Sequence, residues 1–199
     1  GRRLWLGPVG AWTADPENLV EHWLVNHAFK AEQTWFPDGS AVSLYVAGDE
    51  NLTRVEIEHL AWGGHIRLRS LETSDLQVGP GETIRLRFRW RAGLDISERY
   101  QVSVLLVDEG GLVWASRESE PCGGLCPTDA WTQGEIKVDR LALNVPPGTP
   151  PGEYRLQVAW APVGSGPRLE VETGGERLQQ VTVEQVTVLA GQPSTAVPP

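Results

Sequence analysis

The sequence predicts a mostly β protein, in which an antiparallel β-sandwich of the jelly-roll or immunoglobulin-like kind follows a small α/β segment ordered β-α-β-β. Helical spacing of apolar residues occurs only within the first 47 residues. From residue 48 onward, short stretches alternate apolar and polar residues, and Gly, Pro and Asp separate them. We therefore predict an α/β segment over 1–47, a sandwich over 48–190 and a disordered tail, GQPSTAVPP, over 191–199.

The first segment contains the one predicted helix. Asp15 is placed to cap it, Pro16 suits its first position, and a single apolar face is expected from Leu19, Val20, Trp23, Leu24 and His27. Two strands, 31–36 and 41–47, follow in hairpin order around the turn PDGS. Because this unit is small for a core of its own, we expect either the end of a larger α/β domain or a cap on the sandwich.

Nine strands are predicted in the remainder: 52–60, 65–72, 82–92, 100–108, 111–116, 135–145, 152–161, 168–172 and 180–190. The alternation in 82–92 assigns faces, with Ile84, Leu86, Phe88 and Trp90 predicted to point into the core. The intervening arginines, at 85, 87, 89 and 91, should face solvent or carboxylates such as Glu56 and Glu58.

Charge and hydropathy limit the possible functions. The 199 residues carry a formal net charge of −9, and the 17 basic side chains are scattered among carboxylates, which argues against a nucleic-acid partner. No apolar run approaches the ~20 residues that a membrane-spanning helix needs, so no membrane span is predicted. Because the chain has no Met and begins GRRLWLG, without the apolar core of a signal peptide, we expect it to be part of a longer protein.

The only two cysteines, Cys122 and Cys126, lie four positions apart in PCGGLCPTDAW. A zinc site would need further ligands, but the four histidines, at 22, 27, 59 and 65, are distant in sequence, so no metal is predicted. A redox pair would normally be C-x-x-C at the start of a helix. A local disulfide fits best, since two glycines allow the sharp reversal, and it would imply an oxidising compartment; two free thiols are the alternative.

No catalytic residue and no cofactor are predicted. No serine has the G-x-S-x-G frame, and no glycine-rich phosphate loop opens a helix. Several carboxylates suggest a glycosidase pair, at Asp108, Glu109, Asp129, Glu135 and Asp139, but Asp108-Glu109-Gly110-Gly111 is first a hairpin turn.

The tryptophans are the strongest binding candidates. Periodicity places Trp23, Trp35 and Trp90 on buried faces. Trp62, Trp114 and Trp131 lie near turns instead, where an aromatic face can stack on a sugar ring while a polar neighbour such as Asp129 binds hydroxyls. These four residues form the candidate carbohydrate site; the competing interpretation is that the tryptophans plug the ends of the sandwich.

The second half of the chain also carries a family resemblance. The string PTDAWTQGEIKVDRLALNVPPGTPPGEYRLQVAWAPVGSGPRLEV, over 127–171, resembles the C-terminal extracytoplasmic region of bacterial polytopic membrane glycosyltransferases, of the family-39, dolichyl-phosphate-mannose protein mannosyltransferase type. VGPGETIRLRFRWRA and YQVSVLLVDEGGLVWAS are similar to the same region. The resemblance spans nearly the whole chain, but it consists of turn and strand signatures.

The resemblance implies a parent enzyme that transfers sugar from a polyprenyl-phosphate donor, with catalytic acids in loops that this chain lacks. We therefore expect a non-catalytic accessory domain on the extracytoplasmic face of a bacterial membrane. Its expected partners are an acceptor glycan or the membrane portion of its own chain. The alternatives are a secreted carbohydrate-binding module and a purely structural domain.

Overall fold

Two β-sheets packed face to face form the body of the protein. A computed structural model describes residues 2–7, 15, 17–48 and 51–190. Within these residues the apolar side chains of both sheets meet in one core, and a β-α-β-β segment precedes the sandwich. The predicted fold class is thus confirmed, while the predicted tail at 191–199 lies outside the described residues.

The described elements follow one another in this order: β1 Arg3–Leu6, α1 Leu19–His27, β2 Ala28–Trp35, β3 Ala41–Ala47, β4 Thr53–Glu56, β5 Ala61–Trp62, β6 Ile66–Thr73, β7 Gln77–Val78, β8 Thr83–Ala92, β9 Tyr100–Val107, β10 Val113–Ser119, β11 Ile136–Asn144, β12 Gly152–Pro162, β13 Val171–Thr173, β14 Glu176–Leu178 and β15 Val181–Val188. Two 3₁₀ turns, Pro121–Gly124 and Thr128–Ala130, lie between β10 and β11. The shortest strands, β5, β7 and β14, were not predicted, because two or three residues cannot display an alternation.

The larger sheet has the strand order β1-β3-β2-β11-β8-β6-β5-β13-β14, with β4 paired to β6. Its centre is the antiparallel pair β8–β11, which runs from Ile136 opposite Arg91 to Asn144 opposite Thr83. The first segment joins this sheet through β2, which runs parallel to β11 and pairs with it where Lys30 lies opposite Leu141. The α/β segment therefore widens one sheet of the sandwich, and a domain boundary near residue 48 stays a prediction.

The smaller sheet has the order β10-β9-β12-β15-β7. Its pairs are antiparallel except the last, where β7 runs parallel to β15 and Gln77 lies opposite Thr187. This sheet covers only part of its wider partner. The uncovered inner face of β1, β3 and β2 is packed by α1 and by the turn that contains the cysteines.

The core is filled by aromatic rings that contact one another in series. Trp131 lies edge-on to Trp160 with 6.3 Å between ring centroids, Trp160 to Trp90 at 5.0 Å, and Trp90 to Trp62 at 5.8 Å. All four rings are at most 2% exposed. The predicted inward face of β8, including Phe88 stacked on Trp90, is fully buried, which confirms the assignment of that strand's faces.

The helix begins later than predicted, with Asn18 in place of Asp15 as its N-cap residue, but Asp15 still bonds to the first turn. The carboxylate of Asp15 accepts hydrogen bonds from the backbone N–H groups of Leu19 and Val20, at 2.7 and 2.8 Å. The helix proper starts at Leu19, and Pro16, its predicted first residue, lies outside the described residues. Asp15 therefore satisfies two of the free donors in the first turn.

The predicted apolar face of the helix was wrong. Leu24 and Val25 are buried against the sheet, whereas Leu19, Val20 and Trp23 are at least 50% exposed. The nine-residue helix packs on the edge of the larger sheet, so only about one turn of it is buried. Trp23 stacks instead on His27 of the same helix, with 4.4 Å between ring centroids. Trp35, also predicted to be buried, is 67% exposed because the second half of β2 extends past the covered part of the sheet.

The arginine row of β8 points to the outer face, as expected, but its carboxylate partner differs from the prediction. Glu72 of β6 contacts both Arg87 and Arg89. Glu56 instead pairs with Arg54 of its own strand, and Glu58 pairs with Arg69. The register explains the difference, because Glu72 lies directly opposite Arg87 in the β6–β8 ladder.

We expect that replacing Trp160 with Ala lowers the free energy of unfolding by about 3–5 kcal/mol, because Trp160 contacts two further rings of the core series and its loss leaves a cavity. Trp35→Ala is the matched control; it removes an exposed indole and should change the free energy by no more than about 0.5 kcal/mol. Urea unfolding followed by circular dichroism measures both variants. Equal losses in the two would contradict the burial of Trp160 and the exposure of Trp35.

Candidate functional site

The four residues of the predicted carbohydrate site do not come together. Trp62 and Trp131 belong to the aromatic core and are 0% and 2% exposed, so neither ring face is open to a sugar in this structure. Asp129 is exposed on the second 3₁₀ turn. Trp114 is half-buried and lies elsewhere, at the edge of the smaller sheet, where it lines a cavity.

That cavity is a groove of about 290 Å³ between β2, β10 and β11, which we call the Trp114 groove. Ala31 and Glu32 of β2, Trp114 and Arg117 of β10, and Asn144 of β11 line it. β2 and β11 pair where Lys30 lies opposite Leu141, and past that point they separate. The groove is the space between the separated strands, and β10 of the smaller sheet forms its floor.

Two β-bulges shape the Trp114 groove. In the β9–β10 ladder, Val113 lies opposite Val107 and Ala115 opposite Leu106, so Trp114 is the extra residue of a bulge. In the β2–β3 ladder, Lys30 lies opposite Tyr45 and Glu32 opposite Leu44, so Ala31 is likewise extra. A bulge turns its side chain out of the regular alternation, and such bulges are frequent beside binding sites.

The ring of Trp114 is held in a fixed orientation. Its Nε1–H donates to Asp108 Oδ2 at 2.9 Å, and its edge contacts Tyr154 with 6.5 Å between ring centroids. Asp108 also accepts from the backbone N–H of Leu112 at 2.9 Å, within the predicted hairpin turn. The hydrogen bond from Trp114, and then that from Leu112, lower the pKa of the Asp108 carboxyl. Asp108 is thus ionised at neutral pH and serves to orient the indole.

The polar side of the groove combines the hydrogen-bonded amide of Asn144 with the guanidinium of Arg117. Asn144 donates to Glu32 Oε1 at 2.6 Å and accepts from the Thr83 hydroxyl at 2.7 Å. Arg117 Nε is buried and has no hydrogen-bond partner within the part of the chain that the structure describes. Burial lowers the pKa of Arg117, and the charges of Asp139 and Glu32 oppose that shift. The groove therefore has the Arg117 guanidinium, whose buried Nε–H is without a hydrogen-bond partner among the described residues, beside an aromatic ring.

A buried ionic cluster lies behind the groove, on the inner face of β2 and β3. Lys30 is 1% exposed, and its ammonium donates to Glu21 of α1 at 2.9 Å. The hydroxyl of Tyr45 donates to the same carboxylate oxygen at 3.0 Å. Burial raises the pKa of Glu21, but hydrogen bonds from Asn18 and Lys30 outweigh it and the net pKa is lowered. The one sequence signal for this cluster is a lone lysine among apolar residues in AFKAEQTW, which no prediction from the pattern had included.

The two cysteines form the predicted disulfide, with 5.5 Å between their Cα atoms. The turn that carries it is tied down from three sides: Trp131 Nε1–H donates to Cys126 O at 3.0 Å, Lys30 donates to Gly123 O at 3.4 Å, and Cys122 N–H donates to Asp139 Oδ1 at 2.8 Å. Gly123 has φ +63°, and a Cβ there would lie 3.0 Å from the Lys30 side chain. Glycine is therefore needed at 123 for both conformation and space.

Asp139 is the buried acid of this region. It is 0% exposed, and its Oδ2 has no hydrogen-bond partner among the described residues. Burial raises the pKa of Asp139 to about 6, against the opposing effects of the Cys122 N–H group, the nearby indole N–H of Trp90 and the positive charges of Arg117 and Arg140. Asp139 was one of the carboxylates considered for a glycosidase pair, but it is fully buried, and it holds the disulfide turn through Cys122 N–H.

The described residues provide neither a membrane-spanning helix nor a metal cluster. None of their helices is long and apolar enough to cross a membrane. No group of three or more His, Cys, Asp or Glu side chains is arranged to hold a metal ion in the part of the chain that the structure covers.

Comparison with known proteins gives one distant structural match. No protein-family model matches the chain, and no curated protein matches it. Among the solved structures that match is one described as the crystal structure of the C-terminal domain of wzt, with 12% sequence identity and a TM-score of 0.42. The match covers 72% of this chain and 81% of that chain. At this level of similarity it carries no argument about function.

We expect the Asp139 carboxyl to make stability fall as pH rises. The unfolded side chain loses its proton near pH 3.8, while the folded one keeps it to about pH 6, so between these values the unfolded state binds fewer protons. The free energy of unfolding should therefore fall by roughly 3 kcal/mol between about pH 4 and pH 7 on account of this group alone.

Comparison with Asp139→Asn isolates this effect, because the variant keeps the acceptor for Cys122 N–H and cannot ionise. Urea unfolding at several pH values should show the variant gaining stability relative to the unmodified protein as pH rises from 4 to 7. A constant difference across that range would contradict the raised pKa.

Proposed function

We propose that this chain is a non-catalytic accessory module that binds a glycan in the Trp114 groove. The observation that carries the proposal is the groove itself, where two bulges place an oriented indole beside the Arg117 guanidinium and a carboxylate–amide pair. A sugar presents apolar C–H faces and a rim of hydroxyls, and this combination of groups can bind both.

The size and rigidity of the groove support a small ligand portion. A volume of about 290 Å³ is at the lower end of ligand pockets, which corresponds to one or two sugar units of a longer chain. The indole is fixed by Asp108, and Asn144 is fixed by Thr83, so little side-chain entropy is lost when a ligand binds.

The lining residues favour binding over catalysis. Glycoside hydrolysis needs two carboxylic acids about 5 to 10 Å apart on either side of the bond to be broken. Glu32 is the one carboxylate that lines the groove, and it is already bonded to Asn144. We therefore assign no catalytic residue to this chain.

The wider role proposed is that of an extracytoplasmic domain of a membrane-bound glycosyltransferase. The resemblance of residues 127–171 to such regions supports it, and the disulfide favours an oxidising compartment. The groove would then contact the acceptor glycan. A secreted carbohydrate-binding module with the same groove is the alternative, and the burial of Trp62 and Trp131 supports the plug interpretation for those two residues.

The groove is tested by Trp114→Ala and Arg117→Gln against a panel of oligosaccharides, read by isothermal titration calorimetry. We expect each variant to bind its best glycan about tenfold more weakly, corresponding to about 1.4 kcal/mol, because each removes one side of the ligand's environment. Trp35→Ala, which removes an exposed indole outside the groove, should bind normally. Unchanged affinity in both groove variants would place glycan binding outside the groove. No binding across the panel would favour the structural-domain alternative.

The accessory role has a separate test in the gene. Several apolar stretches of ~20 residues encoded upstream of Gly1 are expected for a polytopic transferase. A single signal peptide without such stretches would favour the secreted module.

A further inference from the structure

A second cavity lies on the outer face of the larger sheet, away from the Trp114 groove. It is a cleft of about 360 Å³, which we call the arginine cleft, lined by Glu58, Arg67, Arg69, Arg91, Gly93 and Gln133. The chain as a whole has a formal charge of −9, so three arginines around one cleft are a local reversal of sign. Such a concentration of positive charge attracts anions.

Two of these arginines face each other without a carboxylate between them. Arg67 of β6 and Arg91 of β8 are directly opposite in the antiparallel ladder. Their neighbours Ile66, Leu68, Trp90 and Ala92 are fully buried, so both arginines project to the same outer face. Like charges placed opposite each other destabilise a sheet. The fold therefore bears an unfavourable contact at this position.

The same sheet shows how such a contact is normally relieved. Two and four residues before Arg91 on β8, Arg89 and Arg87 share the carboxylate of Glu72, and Arg69 pairs with Glu58 at 2.6 Å. No ion pair or side-chain hydrogen bond is made by Arg67 or Arg91 within the residues that the structure describes. An anion supplied from outside would complete the pattern.

The walls of the cleft are fixed by backbone hydrogen bonds. Gly134 N–H donates to Ala92 O at 2.8 Å, and Gln133 N–H donates to Asp95 Oδ1 at 2.7 Å, which hold the turn before β11 against the end of β8. A Cβ at Gly93 would lie 3.1 Å from Gly64 O and 3.3 Å from Arg67 Nε. The absence of a side chain at Gly93 therefore leaves room for the Arg67 guanidinium beside the end of β8. Together these contacts form the cleft without a ligand.

We propose that the arginine cleft binds the carboxylate of an acidic sugar, with Arg67 and Arg91 donating to the two oxygens. A guanidinium presents parallel N–H groups that match a planar carboxylate, and the negative charge of the carboxylate offsets part of the repulsion between the two arginines. The side-chain amide of Gln133 and the carboxylate of Glu58 also line the cleft and can bind the hydroxyls of the same sugar.

This site is independent of the groove. Asn144 of the groove lies opposite Thr83 of β8, and Arg91 of the cleft is eight residues after Thr83 on that strand. At the usual rise per residue, about 26 Å separates Thr83 from Arg91. A single sugar cannot occupy both sites. Binding at the cleft therefore neither requires nor excludes the glycan proposed for the Trp114 groove.

Calorimetry on the full chain tests the proposal with trimers of galacturonate and of mannuronate, the neutral trimers of galactose and mannose, and inorganic phosphate. We expect one of the acidic trimers to bind, its neutral counterpart to bind at least tenfold more weakly, and the affinity to fall as salt is raised. Arg67→Gln and Arg91→Gln should each lower the affinity about tenfold or more, since each removes a charged hydrogen-bond donor.

The controls separate this site from general charge and from the groove. Arg177→Gln removes the same charge from β14 of the same sheet, outside the cleft, and should bind normally. Trp114→Ala should also bind the acidic trimer normally. The Arg91→Gln variant should be at least as stable as the unmodified protein, because a like-charge contact is removed.

The proposal is overturned if neither acidic trimer binds, if Arg91→Gln binds as tightly as the unmodified protein, or if inorganic phosphate binds as tightly as the uronate. Loss of binding in Trp114→Ala with normal binding in the arginine variants would assign the acidic sugar to the groove instead. The groove variant and the arginine variants therefore show separately which of the two sites binds the acidic sugar.

Discussion

The difference in width between the two sheets determines the rest of this structure. The larger sheet continues past its partner through β2, β3 and β1, and the inner face of that extension has no opposing strand among the described residues. Helix α1 and the disulfide turn cover it with Leu24, Val25 and Leu125. Where β2 separates from β11, the covering is incomplete, and the Trp114 groove is the gap that remains. The candidate site is thus a consequence of how an unequal sandwich is closed.

The covering introduces charge into the interior, and Lys30 and Glu21 compensate each other there. Lys30 lies inside because β2 must be buried on the face that α1 covers, and Glu21 on that helix supplies its counter-ion. Tyr45 and the carbonyl of Gly123 complete the set of partners. Breaking such a pair would leave a buried charge without compensation, which is far more costly than the net gain from forming it. These contacts therefore fix how the helix and the disulfide turn sit on the sheet.

Alternation predicted the sandwich well because a strand with one buried face must repeat every two residues, as Ile84 to Trp90 do. The disulfide followed from loop geometry. The site was predicted poorly: turns near Trp62 and Trp131 suggested exposure, but burial depends on which elements pack above a turn. Bulges were also invisible, because the extra residues Ala31 and Trp114 do not interrupt the apolar pattern enough to be recognised. The Arg67–Arg91 contact depends on strand register, which a single sequence does not give.

The series of indole rings through the core has a photophysical consequence. Rings whose centroids lie 5.0 to 6.3 Å apart exchange excitation energy efficiently, so light absorbed by any of Trp62, Trp90, Trp160 and Trp131 is shared among them. The series ends at Trp131, which is hydrogen-bonded to the carbonyl of Cys126 in the disulfide turn. A disulfide accepts electrons from excited indoles, so the Cys122–Cys126 bond is placed to quench the core series through Trp131. Reducing that bond should therefore raise the tryptophan emission of the protein.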